Sequence, residues 1–402
     1  MKLESIRLKN FRAFQNATLA CVPDFCIVVG ANGTGKSTLF NVFDFLKNAM
    51  AGNVNSALIQ LGGSRGFQEV RSRNSTGPIE IEIKFRKDEK SPLATYFLQI
   101  NEENGKAFVE HESLKYRRGG HGKPWNFLDF SRGKGEAVTN ESFILDNSSI
   151  QEANLDRSTQ ELKANDILAI KGLGQFSNFP IISALGNMIE NWYIADFRVD
   201  KAKKEQDAGF AEHLNREGDN LSQVLQFLQN NHEDILKHIL QKLSERIPGV
   251  SDVQTKLTEE GRLLLKFKNG AFDDPFLARN VSDGTIKMLT YLVLLNDPAP
   301  HPMICVEEPE NQLYPSILEV LAEEFRAYSK NKNGGQVFVS THSPDFLNAA
   351  RLNEVFWLIK DKDGYTKVRR AAEDPQIRAY VEDGDLMGYL WKQGFFSEVD
   401  PT

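Results

Sequence analysis

The sequence predicts an α/β architecture with a mixed central sheet, an antiparallel β subdomain and an inserted helical subdomain, on three observations. Near the start, the unbroken apolar run FCIVVG has the pattern of a strand buried on both faces. It runs through a glycine-rich turn into Leu39, Val42, Phe43, Phe45 and Leu46, which recur at helical spacing. From Val281 onward helical and strand patterns alternate, as parallel α/β structure requires. Between these ends lie short alternating segments punctuated by Gly, Pro and Asn, the signature of an antiparallel sheet.

Taken in order, KLESIRLKNF and ATLACV read as strands, followed by FCIVVG and the helix LFNVFDFLKNAM. Between residues 62 and 139, IEIEIKF, ATYFLQI, KAFVEHESLKY and NFLDF supply the antiparallel sheet. A helix near residues 181–191 precedes the strand-like WYIADF. Leu221, Val224, Leu225, Leu228, Ile235, Ile239 and Leu243 give residues 221–247 a helical stripe. The closing alternation is IKMLTYLVLL, MICVEE, SILEVLAEEFRAY, QVFVS, DFLNAA and EVFWLIKD.

The 402 residues, 41% hydrophobic, suffice for two or three units with a substantial core. A net charge of −7 excludes a uniformly basic nucleic-acid binder but leaves room for a local basic groove. Cys21, Cys26 and Cys305 are too few for a disulfide framework and are expected as reduced core residues. With no signal sequence and no apolar run of membrane-spanning length, a cytoplasmic protein with no membrane partner is expected.

The strongest chemical motif is GANGTGKS at residues 30–37, which meets G-x-x-x-x-G-K-[ST] in full and has the strand before and helix after that a phosphate-binding loop needs. Gly30, Gly33 and Gly35 permit the tight path that aims backbone N–H groups at phosphate, and the helix adds its positive end. Lys36 is placed to reach the β- and γ-phosphates of ATP, and the Ser37 hydroxyl to ligate Mg2+. In MICVEEP, Glu307 and Glu308 end an apolar strand, where paired carboxylates need a cation or a reaction. Glu307 suits the metal through water and Glu308 suits polarisation of the attacking water. In VFVSTHSPDF, His342 either bonds a γ-phosphate or stands exposed beside a helix capped by Ser343. In VSDGT, the turn before the helix suits a phosphate and equally suits N-capping by Ser282 or Asp283.

The order of these pieces, phosphate loop, VSDGT, MICVEEP and STHS, resembles the ABC-type P-loop ATPase superfamily and its RecF/SMC-like soluble branch. KLESIRLKNFRAF and EEPENQLYP resemble the single-chain AAA-family ATPases related to the overcoming-lysogenisation-defect (OLD) proteins. The resemblance is strong at both ends and weak in the middle. It implies an ABC-type head with a P-loop core of residues 1–50 and 275–402, a β-rich insertion of 51–200, and a helical subdomain of 201–274 leading to the signature region. It implies that residues 30–38, including Asn32 and Thr38, form the Walker A loop. By the same resemblance the Walker B strand ends in Glu308 as the catalytic carboxylate, His342 is the switch histidine, and Lys36 assists catalysis. Ser282 and Gly284 would then contact the γ-phosphate held by a second copy, giving an ATP-dependent, head-to-tail homodimer or higher oligomer. Gln68, with Gln60 as the alternative, corresponds to the family's metal-watching glutamine, and Arg12 to an arginine that approaches the nucleotide. The sequence departs from the family at Glu307, Asp283, Thr285 and Tyr314, which replace Asp, Gly, Gln and His respectively.

No heptad array or Cys-x-x-Cys hook separates Ser37 from Ser282, so long arms are not expected. The roughly fifty residues after Asn353 are too few for a nuclease domain of OLD type, so any effector or nuclease is expected as another chain. The implied function is an ATPase whose nucleotide-driven dimerisation controls that effector or a DNA transaction, in anti-phage defence or in DNA repair of RecF type. A nucleotide-gated scaffold with little turnover is the alternative. KYRRGGHGK, residues 115–123, is either a DNA contact or a solvated hairpin.

Overall fold

The computed structural model describes residues 1–88, 91–117, 123–140, 152 and 155–396. They form two compact units. The first comprises Met1–Trp192 with Asn353–Pro375 and Phe396, and the second Tyr193–Leu352 with Gln376–Phe395.

In the first unit, an antiparallel sheet runs in the order Phe14–Ala20, Lys2–Phe11, Ile79–Arg86, Ala94–Glu103, Lys106–Tyr116, Trp125–Ser131, Lys134–Val138, Arg157–Glu161. Ile79, Ile81, Ile83 and Phe85 are all buried while the residues between them are partly exposed, so strict alternation fixes which face packs inward. The two N-terminal strands, grouped by sequence with the phosphate loop, pair into this sheet, with Ile6 opposite Ile83 and Leu8 opposite Ile81. The fully buried strand Phe25–Val29 lies parallel to Val355–Lys360, which pairs antiparallel with Thr366–Arg370. The helix Lys36–Ala51 follows, burying Leu39, Val42, Phe43, Phe45 and Leu46, and Phe43 meets Trp192 edge-on at 5.4 Å. Helix Val54–Gly62 follows, and Phe67–Val70 is a helical turn within the 62–139 stretch where the sequence anticipates only sheet.

The second unit has three parallel strands, with Met303–Glu307 between Tyr193–Ala195 and Gln336–Thr341. Helix Asp283–Leu295 is buried from Gly284 to Leu294 and is a core element of this unit. The stripe at 221–247 forms two helices, Leu221–Asn231 and Glu233–Arg246, broken at His232. The region expected to be helical also holds a hairpin, Val250–Leu257 with Arg262–Asn269. Leu263, Leu265 and Phe267 are buried at period two, and Gly261 takes the left-handed conformation of the turn at φ 79°.

Cys26 and Cys305 are buried and Cys21 is exposed, which corrects the expectation that all three lie in the core. Cys21 follows the strand Phe14–Ala20 at φ 54°, in the turn that leads to Phe25–Val29, and so is directed away from the packed face. Among the described residues no helix is long and apolar enough to cross a membrane.

Candidate nucleotide-binding and hydrolysis residues

The phosphate loop of the first unit is shaped by steric exclusion. A Cβ on Gly30 would lie 2.3 Å from Thr34 Oγ1 and 3.0 Å from the Leu358 carbonyl, so no side chain fits there. Gly33 at φ 80° and Gly35 at φ 112° take the left-handed region, and Gly35 is the N-cap of helix Lys36–Ala51. Lys36 is 7% exposed, and its ammonium lies across the loop, donating to the Gly30 carbonyl at 2.6 Å and the Ala31 carbonyl at 3.3 Å. Asn32, Gly33 and Ser37 are exposed at the loop surface, and Thr38 is half-buried. The result is a glycine-shaped turn at a helix N-terminus with a cation folded over it, an arrangement that suits phosphate.

Sequence reasoning missed the residue that buttresses this turn. Thr366, 1% exposed, donates from Oγ1 to the Thr34 carbonyl at 2.6 Å, and its N–H donates to Ala13 at 2.8 Å. A Cβ on Gly35 would meet Thr366 Oγ1 at 2.8 Å. No local pattern marks a threonine more than 300 residues away as part of a phosphate loop.

Arg12, at φ 46°, donates from its N–H to Val70 and from its guanidinium to the Leu61 carbonyl, both at 2.6 Å. Burial pulls its pKa down, opposed by the nearby Glu69 carboxylate. With Arg65, Arg71, Arg73 and Lys360 it lines a cleft of about 770 Å³ that also includes Ala13, a neighbour of Gly35. Gln60 and Gln68 are both exposed, and the Gln68 amide lies 3.4 Å from the Glu102 carboxylate.

The second unit assembles the acidic and imidazole groups. Strand Met303–Glu307 delivers Glu307, half-buried, opposite Ser340. Glu308 turns sharply at φ 45°, with its N–H donating to the Ser340 carbonyl at 2.8 Å. Its carboxylate accepts from Asn311 Nδ2 at 3.1 Å and lies 3.4 Å from His342 Nδ1. Thus the structure brings Glu308 and His342 together. Ser343 caps helix Pro344–Asn348, accepting from Phe346 N, and His342 is exposed beside it, as the capping reading expects.

Ser282 caps helix Asp283–Leu295, accepting from Thr285 N at 3.2 Å. A Cβ on Gly284 would lie 3.1 Å from the Gln312 carbonyl, so this position is closed to side chains. Lys203 holds the turn from outside, donating to the Val281 carbonyl at 2.6 Å and to Asp283 at 2.5 Å. Glu310 and Lys287 also escaped sequence reasoning. The signal for Lys287 was a lone cation in the otherwise apolar run IKMLTYLVLL, and for Glu310 a third acid in EEPEN. Of the basic stretch 115–123, residues 118–122, Arg118 included, lie outside the described residues.

Comparison with known proteins agrees with the fold read from the motifs. A solved SMC head, crystallised with the C-winged helix domain of ScpA, matches with a TM-score of 0.56 at 15% identity, covering 92% of this chain and 98% of that one. The chain therefore has the α/β fold of an SMC head. The DNA double-strand break repair Rad50 ATPase of Saccharolobus solfataricus is 31% identical over 83 residues, 20% of this chain. The aligned stretch spans only 10% of that relative's length. A family model matches residues 25–348, so the chain belongs to the family described as "AAA domain, putative AbiEii toxin, Type IV TA system".

Proposed function

We propose that this chain binds ATP at residues 30–38, hydrolyses it to ADP and phosphate, and uses the cycle to drive head-to-tail dimerisation that controls a separate effector. The observation that carries this reading is the loop itself, with two left-handed glycines and Lys36 folded across the carbonyls of its first residues. In this reading Lys36 exchanges those carbonyls for phosphate oxygens, a gain in charge-assisted bonding. Arg12, at the edge of the cationic cleft, faces the nucleotide. Magnesium, when bound, neutralises charge on the phosphates, and Ser37 and Glu307 are the residues offered to hold it, with Gln68 or Gln60 beside them. Glu308 orients a water and takes its proton as the oxygen attacks the γ-phosphorus and the bond to ADP breaks. His342, 3.4 Å from that carboxylate, donates to a γ-phosphate oxygen. Ser282 and Gly284 of each copy complete the site of the other.

Control of a DNA transaction is the second reading, favoured by the similarity to a relative named for double-strand break repair. Anti-phage defence is the setting that fits an effector-controlling switch. Sedimentation of the wild type, Lys36→Ala and Glu308→Gln with ATP and magnesium tests the dimerisation. The Glu308→Gln chain is expected to sediment as a dimer and Lys36→Ala as a monomer. A Glu308→Gln chain that stays monomeric with ATP bound rules the switch out. Dimerisation by a wild type that releases no phosphate favours the nucleotide-gated scaffold instead. Salt-sensitive affinity for DNA, weakened by Arg117→Ala, would support the DNA reading.

A further inference from the structure

Glu310, in EEPENQLYP, is 10% exposed in its side chain and carries none of the roles assigned above. Its Oε1 accepts from Thr341 Oγ1 at 2.7 Å and from the His342 N–H at 3.0 Å, and lies 3.6 Å from His342 Nδ1. One carboxylate oxygen therefore holds the peptide N–H of the residue proposed to touch the γ-phosphate and lies near its ring. The second oxygen, Oε2, is buried without a hydrogen-bond partner among the described residues. A buried carboxylate oxygen left in that state costs stability, and such costs persist where they serve a site.

The opposing charge comes from Lys287, one turn into the helix capped by Ser282. Lys287 is 5% exposed and donates to the Asn311 carbonyl at 2.6 Å. Burial depresses its pKa to about 8, and Glu310 is the largest of the charges that act to restore it, ahead of Asp196 and Glu308. The intervening turn has little slack. Glu308 and Gln312 are both left-handed, Leu313 N donates to the Glu310 carbonyl at 3.0 Å, and the Gln312 carbonyl sits against Gly284.

We infer that Glu310 is the positioning residue for His342, and that Lys287 ties this pair to the helix that begins with Ser282 and Gly284. The inference rests on the ATPase reading above. It links Ser282 and Gly284 with His342 inside the second unit.

The test measures kcat and KM for ATP in Glu310→Ala, Glu310→Gln and Glu310→Asp chains, each with His342 intact and with His342→Ala. Glu310→Ala is expected to lower kcat about 10²-fold, the cost of a misplaced group, with KM changed by less than about threefold. Glu310→Asp should recover part of the loss. In the His342→Ala background the same Glu310→Ala change should alter kcat by less than about twofold, because its effect passes through the histidine. Equal losses in both backgrounds would overturn the positioning role, and Lys287→Met with unchanged kcat would overturn the link to the helix. Amide hydrogen exchange on the nucleotide-free chain supplies a readout that needs no turnover. The His342 amide should exchange about tenfold faster or more in Glu310→Ala, as loss of one hydrogen bond to a charged acceptor implies. Unchanged exchange sinks the proposal even if the wild type hydrolyses ATP. A wild type that releases no more phosphate than Lys36→Ala sinks the ATPase reading, while the exchange result still decides what Glu310 holds.

Discussion

The two units build their candidate sites from different materials. In the first, the loop at 30–38 is built from backbone, with glycines that exclude side chains and one lysine folded over carbonyls. In the second, the cluster at 307–313 and 341–342 is built from side-chain charge, with three carboxylates, an imidazole and a buried ammonium within one turn and its neighbours. Backbone sites fail by steric clash and charge sites by imbalance. The same contrast extends to the buried titratable groups. Glu112 of the first unit is held by Tyr96 and the N–H groups of Ala169 and Ile170, neutral donors only, whereas Lys287 of the second sits among acids.

The largest expected difference is in the pH response. Burial pushes the Glu112 carboxyl up to about 7 from 4.5, so the native state holds the extra proton between those values and stability falls as pH rises through them. Burial pushes Lys287 down to about 8 from 10.5, so the unfolded state holds the extra proton there and stability rises as pH climbs from 8 to 10.5. At about 1.4 kcal/mol per unit, each window carries at most about 3.5 kcal/mol. Denaturant midpoints across pH 4.5 to 10.5 should lose the first slope in Glu112→Gln and the second in Lys287→Met. Loss of both slopes in either variant would break the comparison.

Next in size, Lys36→Ala should weaken ATP binding by about 1.5–3 kcal/mol, some 10- to 100-fold, as titration calorimetry would show. Gly30→Ala forces Thr34 and the Leu358 carbonyl apart and should cost about 1–3 kcal/mol of stability, read from thermal melting. Smallest, Thr366→Val removes the hydroxyl bonded to Thr34 and should cost about 1 kcal/mol, with a few-fold loss of ATP affinity. An unchanged affinity would mean that Thr366 supports the fold and not the loop.

The same contrast explains what could be read from sequence. The phosphate loop and its helix were legible because GANGTGKS and the stripe Leu39 to Leu46 are local in the chain. Glu308 and His342 were legible as strand ends, but their 3.4 Å approach was not, because it depends on parallel pairing of strands some 30 residues apart. The N-terminal strands read correctly as strands, yet their pairing with Ile79–Arg86 is set by a register between distant segments. The hairpin at 250–269 was passed over because it follows a strong helical stripe. Cys21 was misplaced because a strand-like composition conceals a left-handed turn. Thr366, Glu310 and Lys287 owe their roles to tertiary neighbours that no spacing rule supplies.

The central claim, that Glu308 drives hydrolysis of ATP held at residues 30–38, is tested most directly by single-turnover phosphate release from wild type and Glu308→Gln at matched ATP occupancy. The account predicts equal ATP affinity and release at least about 10²-fold slower in Glu308→Gln, the usual contribution of a general base. Equal release rates from the two chains would contradict it.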